Sequence, residues 1–149
     1  MNTKLSKLGP ALAAASLVVT PDMLLGQEGA AQAAPSISVE MNQIQQHEGA
    51  CQLTFMLRNT LESDIATLVF ETVLLTKDGA VNRLTLFDMR DVPSGTPRVR
   101  QFNVPALACV DLGQVLINGV AECSGNALDA QTCIQALQFP SRIDVEILG

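Results

Sequence analysis

Apolar residues in this chain alternate with polar ones more often than they recur at helical spacing, and turn residues break the alternation about every eight to fourteen positions. A period of two predicts strands. The clearest runs from Cys51 to Arg58, with Cys51, Leu53, Phe55 and Leu57 on one face and Gln52, Thr54 and Arg58 on the other. The first face is expected in the core. Ile65 to Thr76 is apolar on both parities apart from Glu71, as a central strand would be, and Lys77-Asp78-Gly79 then supplies a turn into a hairpin partner, Val81 to Met89. Ile37 to Gln45, Arg98 to Val104, Gln114 to Ala121 and Arg142 to Leu148 bring the count to about seven strands. Pro93, Gly95 and Pro97 mark a loop, Pro105 ends a strand or leaves it at an edge, and residues 128–137 have the spacing of a short helix. The pattern predicts an all-β fold: a single antiparallel sandwich of immunoglobulin or fibronectin III type.

The first 33 residues do not share this pattern. Lys4 and Lys7 precede an apolar run from Leu8 to Val19, and Ala31-Gln32-Ala33 closes the segment. Charge, short apolar core and small-residue site in that order read as a secretory leader, too short in its apolar part to span a bilayer. The predicted organisation is a leader over residues 1–33 and one sandwich domain over residues 34–149, exported and periplasmic after cleavage. The leader carries two lysines and two acids, so the formal charge of −6 belongs to the rest of the chain. An acidic surface argues against nucleic acid as a partner and against direct membrane binding, leaving membrane contact to a partner or an uncleaved leader.

Four cysteines in an exported chain of this size read as two disulfides, with three pairings open. Cys123 with Cys133 and Cys51 with Cys109 is the favoured set. A metal or redox role is the poorer reading, because the chain has no C-x-x-C pair and its spacings match no common zinc module. No cofactor is expected.

No catalytic set emerges either. His47, the one histidine, sits in a polar turn beside Glu48 and Gly49, and G-x-S-x-G is absent. Asp88, Asp91 and Asp111 have the spacing of no calcium loop. A basic concentration stands out instead: Arg83, Arg90, Arg98 and Arg100 are candidates for contact with an acidic partner. Arg98 and Arg100 share a parity, so they are expected to emerge on one face about 7 Å apart.

The stretch Leu53 to Gly79, with Arg58-Asn59-Thr60, then Ile65, then Phe70 to Gly79, resembles the layout of fibronectin-like envelope modules such as FxLYD domains. Pro93-Ser94-Gly95 ahead of Arg98 to Phe102 is similar to their loop before the next strand. Cys51 to the last strand also resembles a group of exported proteins of alphaproteobacteria, through Leu84-Thr85-Leu86-Phe87-Asp88, Arg98-Val99-Arg100-Gln101-Phe102 and Val115-Leu116-Ile117-Asn118. The resemblance implies a sandwich in the cell envelope and no activity. The expected function is a non-enzymatic accessory or interaction subunit that offers a sheet face or edge to a cell-envelope protein. The alternative is a periplasmic binder of a small ligand or ion, with a pocket between the sheets lined by Met56, Phe87 and Met89.

Overall fold

Strands form where the alternation is longest. The computed structural model describes residues 33–149, so the predicted leader lies outside the described residues except for Ala33. The long strands are β1 (Ile37–His47), β2 (Ala50–Asn59), β3 (Ile65–Thr76), β4 (Val81–Val92), β5 (Arg98–Pro105) and β6 (Leu112–Gly125). A 3-10 turn, Cys109–Asp111, leads into β6, and α1 (Ala130–Ala136), β7 (Leu137–Gln138) and β8 (Glu146–Leu148) follow it. They build two four-stranded sheets, β5-β2-β1-β7 and β4-β3-β6-β8. The chain is the all-β sandwich that its alternation predicts.

Local chemistry sets the hairpins. Gly49 (φ 70°) turns β1 into β2 and Gly79 (φ 82°) turns β3 into β4, both in the left-handed region that glycine enters without a Cβ penalty. Thr76 closes the second turn: its N–H donates to Ala80 O at 2.9 Å and its hydroxyl meets the Asp78 carboxylate.

The last third of the chain departs from expectation. β7 joins β1 and β8 joins β6 in parallel, so each otherwise antiparallel sheet ends in a parallel pair. Arg142 to Leu148 was expected as one strand, yet only Glu146–Leu148 pairs. Ser141 explains the shortening, because its Oγ lies 2.8 Å from Ile143 O and 2.7 Å from Val145 O and folds the segment into a turn. Val145 and Ile147 still reach the core, as their parity predicts.

Three phenylalanines fill the space between the sheets. Phe87 of the second sheet stacks on Phe102 at 4.4 Å between centroids and lies 5.7 Å from Phe55, both from the first sheet. Their tilted and offset arrangement is the one aromatic quadrupoles favour. Around them pack Ile37, Leu53, Leu57, Leu68, Phe70 and Met89, all fully buried.

Two further devices hold the layers. Asn59, 0% exposed, donates from Nδ2 to Ser63 O (2.9 Å) and Val92 O (3.0 Å) and accepts from Leu61 N (2.9 Å), tying the end of β2 to the crossover and to β4. The disulfides are Cys51–Cys109 and Cys123–Cys133, the favoured pairing, with Cα atoms 5.0 and 6.4 Å apart. One pins β2 to the turn before β6; the other pins α1 to β6. Two disulfides suit an oxidising, extracytoplasmic environment. Among the described residues no helix is long and apolar enough to cross a membrane.

Asn59→Ala strands one buried carbonyl, one part-buried carbonyl and one part-buried N–H, and should lower stability by roughly 2–4 kcal/mol in urea unfolding. Loop closure ranks the disulfides. Replacing both cysteines of the Cys51–Cys109 pair, 58 residues apart, should cost about 4 kcal/mol, and replacing the Cys123–Cys133 pair, 10 apart, about 3 kcal/mol, read from the same unfolding curves.

Candidate functional site

The two outer faces of the sandwich have opposite chemistry. On the first sheet, Gln43, Thr54 and Gln101 share one cross-strand row and Gln45, Gln52 and Asn103 the next. Gln101 Nε2 donates to Thr54 Oγ1 and Gln52 Oε1, both at 3.2 Å, and Gln52 Nε2 to Asn103 Oδ1 at 3.0 Å. On that face Gln52, Thr54, Gln101 and Asn103 are bonded to one another.

The outer face of the second sheet is aliphatic. Register places Leu84 opposite Val73, Val73 opposite Leu116, and Leu116 opposite Leu148, one row across all four strands. Leu84 is 72% exposed, its neighbour Leu86 62% and Leu148 38%. The row is edged by acids: Leu86 pairs with Glu71, Val69 with both Asp88 and Glu122, and Gln114 with Glu146. No lysine or arginine stands in these rows. A shallow groove of about 290 Å³, lined by Glu71, Val73, Leu84, Leu86 and Asn118, runs beside β4. Contiguous apolar surface rimmed by polar residues is in general a feature of protein, membrane or ligand contacts.

Sequence reasoning missed this face because both parities of β3 are apolar, and Leu84 and Leu86 compete with Phe87 and Met89 for the core side of β4. Only the pairing decides. Phe70 opposite Phe87 fixes the inner rows and turns the leucines outward.

The four candidate arginines separate into different settings. Arg98 and Arg100 share a face, as their parity predicts, but it is the inner one, opposite Leu57 and Phe55, at the seam between β5 and β4. Asp91 waits there. Arg98 Nη2 reaches Asp91 Oδ2 at 3.1 Å and Arg100 Nη2 reaches Asp91 Oδ1 at 3.0 Å, while Arg100 Nε donates to Met89 O at 2.7 Å and Nη2 to Asp91 O at 3.0 Å. These two guanidiniums close the side of the sandwich. Arg83 sits near the start of β4, with Nε donating to Asn82 Oδ1 at 3.1 Å, and Arg90 is exposed on a bulge at φ 57°.

Other candidates fall apart in the same way. His47 is exposed at the end of β1. Asp88 accepts from Arg90 N at 2.8 Å, Asp91 is in the seam, and Asp111 is exposed in the 3-10 turn. Met56 lies on the parity opposite Phe55, while Phe87 and Met89 are buried, so these side chains line no common pocket. A cavity of about 730 Å³ is an open cleft at one end of the sandwich, bounded by Ile44, Lys77, Asp78, Val110 and Asp144.

Comparison with protein-family profiles, with curated proteins and with solved structures finds no match.

The Arg98 hydrogen bond, with the charges of Arg98 and Arg100, holds the Asp91 carboxyl below its ordinary value of 3.8. Glu40 is likewise held below 4.5, first by its hydrogen bond from Arg142. A carboxyl with a depressed folded pKa contributes stability above its unfolded value and loses it as pH falls through the folded one. Thermal unfolding from about pH 6 to pH 2 should therefore show the melting point dropping below about pH 4. Asp91→Asn should reduce that drop and speed amide exchange at residues 89–91.

Proposed function

We propose that the chain is a non-enzymatic, exported accessory protein of the bacterial periplasm that holds a cell-envelope protein against the outer face of its second sheet. One observation carries this: the row Leu84, Val73, Leu116 and Leu148 is aliphatic across the entire sheet, with Leu84 and Leu148 exposed at its two ends and Leu86 exposed beside it, while the opposite face carries the bonded side chains of Gln52, Thr54, Gln101 and Asn103. Evenly distributed exposed leucines would need no explanation; a continuous row does. Glu71, Asp88, Glu122 and Glu146 around it fit a partner surface that is apolar at its centre and basic at its rim. Arg98 and Arg100 are left out of the contact because Asp91 already holds them.

The interior gives no comparable support to small-ligand binding, since Phe55, Phe87 and Phe102 occupy the space between the sheets. Export is supported by the leader pattern of residues 1–33 and by the two disulfides.

A photoreactive residue placed at Leu116 or Leu148, positions away from the β4 edge, tests the reading in intact cells. The expected result is one discrete adduct from both positions, absent when the probe stands at Gln52 or Gln101, with partner peptides rich in Lys or Arg around the crosslink. Equal labelling from the two faces, or none from Leu116 and Leu148, overturns it.

A further inference from the structure

The groove beside β4 is not uniformly apolar, and its polar side has a defined construction. Strand β6 carries an extra residue there: Ile117 pairs with Thr72 and Gly119 with Glu71, which leaves Asn118 between them with no opposite residue on β3. The bulge does two things. It brings Asn118 into the lining of the groove, and it sets Gly119 beside Glu71. The Glu71 side chain lies across that glycine, so closely that a Cβ at position 119 would stand 3.3 Å from Glu71 Oε2. A carboxylate is thus laid along the sheet surface, over bare backbone, next to the aliphatic walls of Val73, Leu84 and Leu86. Glu71 is the one charged residue of the lining, and among the described residues it is in no ion pair.

These features select an occupant. An aliphatic side chain would match the walls but cover the carboxylate without supplying a counter-charge. An acidic one would meet Glu71 as a like charge. A small cation would satisfy Glu71 and leave the leucines in water. A long basic side chain does both, because its methylene stem covers apolar surface while its head group reaches an anion. We infer that the groove receives one lysine or arginine side chain of the partner protein, its stem against Val73, Leu84 and Leu86 and its head donating to the Glu71 carboxylate and to Asn118 Oδ1. The groove of about 290 Å³ holds roughly ten water volumes, room for a single side chain of that length. The inference rests on the binding-face reading and adds the chemistry of the contact.

The probe is acetyl-Leu-Lys-Leu-amide, set against its norleucine counterpart, which keeps the stem and lacks the charge. Titrations of the purified, oxidised protein followed by NMR should move the signals of Val73, Leu84, Leu86 and Gly119, with the lysine peptide binding roughly fivefold tighter. In Glu71→Gln, a change at an exposed side chain, the two peptides should bind alike. The photo-adduct from Leu148 in cells should fall by a similar factor in the same variant. Equal binding of the two peptides to the native protein, a preference that survives in Glu71→Gln, or shifts confined to other parts of the sandwich overturns the assignment. An adduct from Leu148 whose yield is unchanged by Glu71→Gln overturns it too and leaves the face reading standing; absence of any adduct from the native protein overturns both.

Discussion

The contact of Phe87 with Phe55 and Phe102 is what makes two hairpin sheets one body. These sheets share few hydrogen bonds, so their union rests on side chains that meet in the middle, and these rings supply the largest of them. Fixing Phe87 inward fixes everything else on β4. Met89 follows it into the core, Val92 does so across the bulge at Arg90, Leu84 and Leu86 must point out, and through the register of β3 and β6 the same choice turns Leu116 and Leu148 to the outer face. The aliphatic outer face is thus a consequence of how the inner one is packed, joined to a choice of residues that packing alone does not require. Glutamine or threonine would serve the outer positions of a solvated sheet equally well, as they do on the first sheet.

Polar groups in the interior are placed where layers have to be joined. Asn59 satisfies three backbone groups at the point where the chain leaves one sheet for the other, and Arg100 satisfies two carbonyls where the edges of the sheets come closest. Both work by removing backbone groups from the set left unpaired at a sandwich corner. Arg100 also needs Asp91 to hold its guanidinium flat against the seam, and Arg98 shares that carboxylate. The basic concentration in the sequence is therefore half a structural clamp.

The legible part of the sequence was the part governed by neighbours along the chain. Alternation in Cys51 to Arg58 gave the inward set directly, Gly79 marked its turn, and an even cysteine count with one short separation pointed to the right pairs. What stayed hidden depends on contacts distant in sequence. The parallel pairing of β7 with β1 joins positions 100 residues apart, Ile37 with Leu137, and no local pattern encodes it. Arg98 and Arg100 were placed on a common face correctly, but whether that face looks to solvent or to Asp91 depends on where β4 runs. Val81 to Met89 has the pattern of a strand without a side, because its two parities are nearly equal in hydrophobicity.

That near-equality is itself informative once the fold is known. A strand with one buried face needs apolar residues on one parity only, and an edge strand is the place where apolar residues on the second parity carry the greatest risk of unwanted pairing. β4 nevertheless carries leucines there, along the half of its edge that Arg100 does not close. β5, the facing edge of the first sheet, presents Val99 with Gln101 and Asn103 on its exposed parity and ends in proline. Two edges of one sandwich thus receive opposite treatment, one furnished with polar residues and one with leucines. Solubility and folding explain the first. The second follows when the surface beyond Leu84 and Leu86 is to be covered by another polypeptide, so that exposure in the single chain becomes burial in the assembly.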